Sequence, residues 1–219
     1  QKLWLALHER GYAAWSNISL LISVDRRSTS AVFLAAAAQQ LVDTNDSLRT
    51  SFRPGSEGSV VCHVFEPREF ELPLTWQKAP HSKDNVLRLA AEFEGLAFEP
   101  LVAPDSRPPI RALLLAADAP GSSHWLHLVM HHINSDYMSN QCLFGQLETI
   151  IASQELKVAV LPLDFAAMRQ EQRVAYAAIK EQCDHFWSER LLLAGQISAP
   201  FVARAYALPA APAARLNNV

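Results

Sequence analysis

The sequence predicts an α+β fold in two layers, a sheet of mixed strand direction flanked by helices. Three observations carry that reading. Segments of strand character intermingle with segments of helix length, without the strict alternation of a βαβ repeat. Two strongly apolar runs, "IRALLLAAD" and "HWLHLVMHH", are separated by the turn sequence "PGSS", which sets them side by side and antiparallel. Half of the 219 residues are hydrophobic, enough for a sizeable core and too many for a disordered chain. An open α/β sheet with mixed strand direction is the alternative, and the length suits one large domain or two small ones.

Each element has its own signal. "NISLLISV" is short, apolar and β-branched, the composition of a strand over 17–24. "STSAVFLAAAAQQLVDTNDSL" has high helix propensity and a Ser or Thr available as its N-cap. "LRTSF" and "SVVCHVFE" form a hairpin across "RPGSEG", whose Pro and Gly favour a turn. "PHSKDNVLRLAAEFEGLAF" places Val86, Leu89, Ala90 and Phe93 at helical spacing and ends at Gly95. After the proline-rich loop "EPLVAPDSRPP" come the two apolar strands. From Tyr137 onward, Leu143, Phe144, Leu147, Ile150 and Ile151 suit one helix face. A longer helix is predicted over 165–193, with Tyr176, Ile179, Phe186 and Leu193 among its apolar positions. The tail "APFVARAYALPAAPAARLNNV" reads as a linker or a segment that needs a partner. The division expected is therefore a folded part over 1–195 and a linker over 196–219.

Composition excludes several classes. The net charge of −3 comes from 19 basic and 22 acidic residues, and the basic ones cluster on no predicted element, so no nucleic-acid partner is expected. No apolar run approaches the roughly 18 residues that span a bilayer. No secretory signal is evident, and the expected setting is cytoplasmic. Cys62, Cys142 and Cys183 lie far apart, which argues against a disulfide framework and for small buried hydrophobes in a reducing compartment.

The chemistry concentrates in "HLVMHHINSDYMSNQ", His127 to Gln141. If the strand stays extended, Leu126, Leu128, Met130 and His132 share one face, and His131 shares the other with Trp125, His127 and Val129. His132 then ends an apolar row, where desolvation favours the neutral imidazole that a general base requires. His131 has the more mixed setting. Asp136 has two readings, a cap for the helix that follows or an ion pair that holds the loop through an arginine. His124, His127, His131 and His132 are close in sequence, but no second cluster completes a metal site, so no metal is expected.

"HHINSDY" resembles the HHxxxDG signature of condensation domains from nonribosomal peptide synthetases, in the acyltransferase superfamily related to chloramphenicol acetyltransferase. Three further segments resemble that family in its order. "QKLW" is similar to the end of the first signature. "NDSLRTSF" resembles the second, RHExLRTxF, through Leu48, Arg49, Thr50 and Phe52, with Asn45, Asp46 and Ser47 read as departures from its Arg-His-Glu portion. "LPLDFAAMRQEQ" resembles the later Asp-Phe-Ala segment, with Met168 in place of a tryptophan.

The resemblance implies a chloramphenicol acetyltransferase-like lobe with a mixed, largely antiparallel sheet, the first half of a two-lobed domain. The second lobe is absent from these residues, and isolated activity is expected to be low or nil. The resemblance makes His132 the catalytic histidine and pairs Asp136 with Arg49. His131, Asp136, Arg49 and Tyr137 are the supporting residues. The substrates it implies ride on the phosphopantetheine of acyl or peptidyl carrier proteins, with no cofactor bound directly. The implied reaction is amide formation, with an ester-forming acyltransferase, stand-alone or polyketide-associated, and a catalytically inactive carrier-docking domain as alternatives. Tyr137 replaces the signature's glycine and removes its backbone freedom. That leaves open altered specificity, an unusual acceptor or lost catalysis.

Overall fold

The computed structural model describes residues 16–119, 121–156 and 165–196, together with Leu5 and Leu7. In chain order its elements are β1 (Asn17–Asp25), α1 (Ala31–Thr44), β2 (Thr50–Pro54), β3 (Val60–Val64), β4 (Leu74–Lys78), α2 (Lys83–Glu94), β5 (Ile110–Ala116), β6 (Ser123–His131), α3 (Tyr137–Ser153) and α4 (Phe165–Gln196). The chain divides into two compact units, Gln1–Leu163 and Asp164–Val219. All but α4 belong to the first.

Local chemistry places the helix ends. Ser30 caps α1 by accepting the Phe33 amide at 3.1 Å, and Ser82 caps α2 by accepting that of Asn85 at 3.2 Å. α1 stops at Thr44, short of the predicted end at Leu48. Asn45 there takes an extended conformation, and a 3-10 turn over Asp46–Arg49 follows. Gly95 ends α2 as predicted.

The main sheet has strand order β1-β6-β5-β4. β6 runs antiparallel to β5, as the apolar pair predicted, and also to β1, while β4 lies parallel to β5. The fold is therefore α+β with a mixed, largely antiparallel sheet flanked by helices. β2 and β3 form the separate hairpin expected around the Pro/Gly turn, with Phe52 opposite Cys62. β4 has no counterpart in the sequence reading: its five residues are all exposed at a sheet edge, so "LTWQK" lacks the apolar alternation of a half-buried strand.

The two faces of the sheet carry different cores. Ala112, Leu114, Leu126, Leu128 and Met130 pack against Leu34, Ala38 and Leu41 of α1 and Leu143 and Leu147 of α3. Leu113 and Leu115 point the other way, against Val86 of α2 with Leu89, Phe93 and Trp125 beside them. This is the alternation read from "HLVMHH", and each buried leucine contributes about 1.5–3 kcal/mol. Phe144, assigned to the buried face of α3, is exposed instead. In α4, Tyr176, Ile179 and Phe186 are also exposed. The cysteines are free, but Cys142 is exposed and the other two only half-buried, which corrects their assignment to the core. No helix among the described residues is long and apolar enough to cross a membrane.

Candidate functional site

β6 ends at His131, and the chain turns through 132–134 before α3 begins at Tyr137. Hydrogen bonds pin this turn to several elements. The His131 amide donates to Pro109 O at 3.0 Å and the His132 amide to Ser16 O at 2.7 Å. The Asn134 side chain donates to Thr50 O at 2.8 Å, and the Ser135 hydroxyl to Asn140 Oδ1 at 3.0 Å.

The two histidines separate here. His131 is wholly buried, 0% exposed, with its ring edge-on to Phe98 at 6.5 Å between centroids. Its Nδ1 accepts the Ile133 amide at 3.1 Å, so the neutral ring carries its proton on Nε2. His132 is half-buried. The expectation that it ends the Leu126–Leu128–Met130 row is corrected, because the extended backbone stops one residue earlier. The fully buried position belongs to His131, and His132 is carried onto the turn.

Asp136 and Arg49 are placed apart from the pairing the resemblance implied. Asp136 is the N-cap of α3: its Oδ1 accepts the Ser139 amide and hydroxyl, both at 2.8 Å. Those bonds, the amide's first, hold its carboxyl below the ordinary value. The guanidinium of Arg49 is 3% exposed and donates to Val42 O, to Phe65 O and to Asp46 Oδ1. The ion pair of Arg49 is therefore with Asp46, three residues away in the same 3-10 turn. The sequence signal was there to be read: counted back from Leu48, Asp46 stands at the acidic position of the RHExLRTxF signature. Reading it as a departure is corrected.

A second polar group, missed by the sequence reading, lies on the α2 side of the sheet. Arg111 Nη2 donates to Phe93 O at 3.0 Å and Leu96 O at 2.5 Å, and Asn17 Nδ2 donates to Glu94 O at 2.6 Å and Leu96 O at 2.7 Å. Together they bring side-chain donors to carbonyls in the last turn of α2 and just beyond it. The Ser19 hydroxyl donates to Glu94 Oε2 at 2.8 Å, and His127 Nε2 lies 3.8 Å from the same oxygen. Burial keeps the His127 imidazole below its ordinary value; Glu94 opposes that shift and Arg111 adds to it. Strand parity alone would have put Asn17, Ser19, Arg111 and His127 on one face. His124 is engaged elsewhere, its Nδ1 accepting the Ala117 amide at 3.0 Å. Among the described residues no group of three His, Cys, Asp or Glu side chains is disposed to hold a metal.

A mixed sheet with this paired-histidine turn, a helix capped by its aspartate and a buried LRT arginine defines a class. Residues 9–206 match the condensation domain, and the chain belongs to that family. Tyrocidine synthase 3 of Brevibacillus parabrevis is 33% identical over 189 residues, covering 85% of this chain and 3% of that protein. Gramicidin S synthase 2 of Aneurinibacillus migulanus is 28% identical over 155 residues, covering 70% of this chain and 3% of that protein. Among solved structures, the first condensation domain of the calcium-dependent antibiotic synthetase, in complex with substrate analogue 3a, shares the fold with a TM-score of 0.67 at 17% identity. It covers 87% of this chain and 46% of that one. The condensation domain of the enacyloxin polyketide synthase, described in mediating chain release, gives 0.62 at 22% identity, covering 84% and 37%. The chain thus spans less than half of those structures and a small fraction of the curated synthases. "QKLW" and residues 161–164 of the later segment lie outside the described residues, as does the tail beyond Gln196.

Proposed function

We propose that residues 1–195 form the first lobe of a two-lobed condensation domain, with 196–219 leading toward the second. The domain joins two substrates carried as phosphopantetheine thioesters on carrier proteins. The amine of the downstream aminoacyl group attacks the carbonyl of the upstream acyl or peptidyl thioester. A C–N bond forms, the C–S bond breaks, and the upstream thiol leaves. His132 accepts the proton of the attacking amine or holds that amine in line. His131 shapes the turn from within, Asp136 starts α3, and Arg49 with Asp46 ties the end of α1 to the hairpin.

The observation that supports this most is the pinned turn that seals His131 and leaves His132 half-exposed. Holding both tethered substrates together removes about 7–11 kcal/mol of barrier at the best effective molarities. General-base help supplies about 10²–10⁴-fold, so positioning outweighs proton transfer in this scheme. The test uses the complete protein with two loaded carriers. His132→Ala is expected to lower amide formation by about 10²–10⁴-fold, and an unchanged rate refutes the reading. Offering amine and alcohol acceptors in parallel separates amide from ester formation. Tyr137 at the glycine position favours a second reading, a carrier-docking domain without catalysis. Carrier binding that persists while every acceptor fails would establish that one.

A further inference from the structure

Tyr137 is the residue of "HHINSDY" that breaks the signature, and the structure gives it a definite place. It is the first residue of α3, with 73% of its surface exposed, and Met138 beside it is 67% exposed. Neither side chain is used by the core of this unit. The Cα–Cβ bonds of a helix lean toward its N-terminus, so a first-turn residue covers surface over the segment that precedes it. Here that segment is the turn that carries His132.

The platform is fixed. Asp136 binds the Ser139 amide at 2.8 Å, Ser135 binds Asn140 at 3.0 Å, and Asn140 Nδ2 donates to Ser19 O at 3.3 Å on β1. The start of α3 and the His132 turn therefore keep one relation to each other. A tyrosine ring has only two side-chain torsions, so it holds its volume in place at low entropic cost. Glycine at 137 would leave that volume empty.

We infer that Tyr137, with Met138 alongside, sets the width of the approach to His132 and excludes substrates that are branched or bulky next to the reacting centre. The inference rests on the proposed carrier-dependent reaction at His132. It makes Tyr137 a determinant of substrate shape rather than a participant in proton transfer.

The test uses the complete protein with carriers loaded in two series. One varies the donor from unbranched to branched beside the thioester carbonyl, and the other varies the acceptor likewise beside its amine. Tyr137→Gly is expected to raise the branched-to-unbranched ratio of kcat/KM by about tenfold or more in one series, the scale on which a filled or emptied apolar volume discriminates. Tyr137→Phe keeps the native ratio. Tyr137→Ala provides a second vacated ring should glycine disturb the first turn of α3. An unchanged ratio in both series for Gly and Ala overturns the inference, and so does a Phe variant that relaxes it equally. If the native protein yields no product, product gained in Tyr137→Gly supports the inference, and its absence from both overturns it. A rate unaffected by His132→Ala would instead remove the catalytic reading, which the Tyr137 ratios do not measure.

Discussion

Replacing Arg49 tests where its charge is compensated. The guanidinium is buried and serves three acceptors: Val42 O, Phe65 O and the Asp46 carboxylate, whose side chain is 29% exposed. Arg49→Met keeps most of the volume and removes every donor. Phe65 O then loses its donor, at about 1–3 kcal/mol if no water replaces it, while Val42 O keeps the Asn45 amide. Removing one member of a buried pair costs about 3–5 kcal/mol as a whole, and the two figures describe overlapping losses. The expected destabilisation is therefore about 3–5 kcal/mol. A double-mutant cycle locates the partner. Arg49→Met with Asp46→Asn is expected to show a coupling of about 0.5–3 kcal/mol. Arg49→Met with Asp136→Asn is expected to be additive, because Asp136 spends its carboxylate on Ser139. Urea unfolding followed by tryptophan fluorescence measures all of these, with unchanged m-values as the check on two-state behaviour. Coupling of Arg49 to Asp136 that equals or exceeds its coupling to Asp46 would refute the assignment.

Two further outcomes follow from the sheet. Leu128→Ala, at a site 1% exposed on β6 where the sheet faces α1 and α3, is expected to cost about 2–5 kcal/mol in the same unfolding assay. A loss below about 1 kcal/mol would mean that this face is not the core. The His127 imidazole, held below its ordinary value of 6.5 chiefly by burial, makes stability depend on pH. As pH falls through that value the unfolded chain takes up the proton before the folded one does, so stability is full above it and declines below it. His127→Gln is expected to flatten that decline between pH 7.5 and pH 5, and an equal slope in both proteins refutes it.

Much of the scaffold was legible because periodicity reports on burial. The strand-face assignment of Leu126, Leu128 and Met130 and the hairpin around "RPGSEG" both follow from patterns of apolar and turn residues. β4 was not legible, since an exposed edge strand has no buried face to mark it. The site was legible by motif more than by pattern. Extrapolating alternation to His132 failed because the chain leaves the extended conformation there, and nothing in "MHHIN" marks the point of departure. The Arg49 partner was misassigned for another reason. A carboxylate three residues away in a tight turn needs no long-range closure, and it was available in Asp46 before any distant aspartate was considered.

The end of the sheet explains how adjacent histidines come to have unlike surroundings. Successive amides of β6 point to opposite neighbours: that of His131 binds Pro109 O just ahead of β5, and that of His132 binds Ser16 O just ahead of β1. Both histidines are thus held by the main chain where the sheet runs out, one from each side. Pleating would send their side chains to opposite faces, and His131 is fully buried on its own. The residues after His132 leave the sheet in a turn held by His131 Nδ1 and Thr50 O, and His132 stands half-buried where the strand ends. The main chain that carries it is thus held by three strands and the hairpin. A substitution that shifts the β1–β6 register by one residue would move His132 without altering it, and would turn the row of Leu126, Leu128 and Met130 out of the core at the same time.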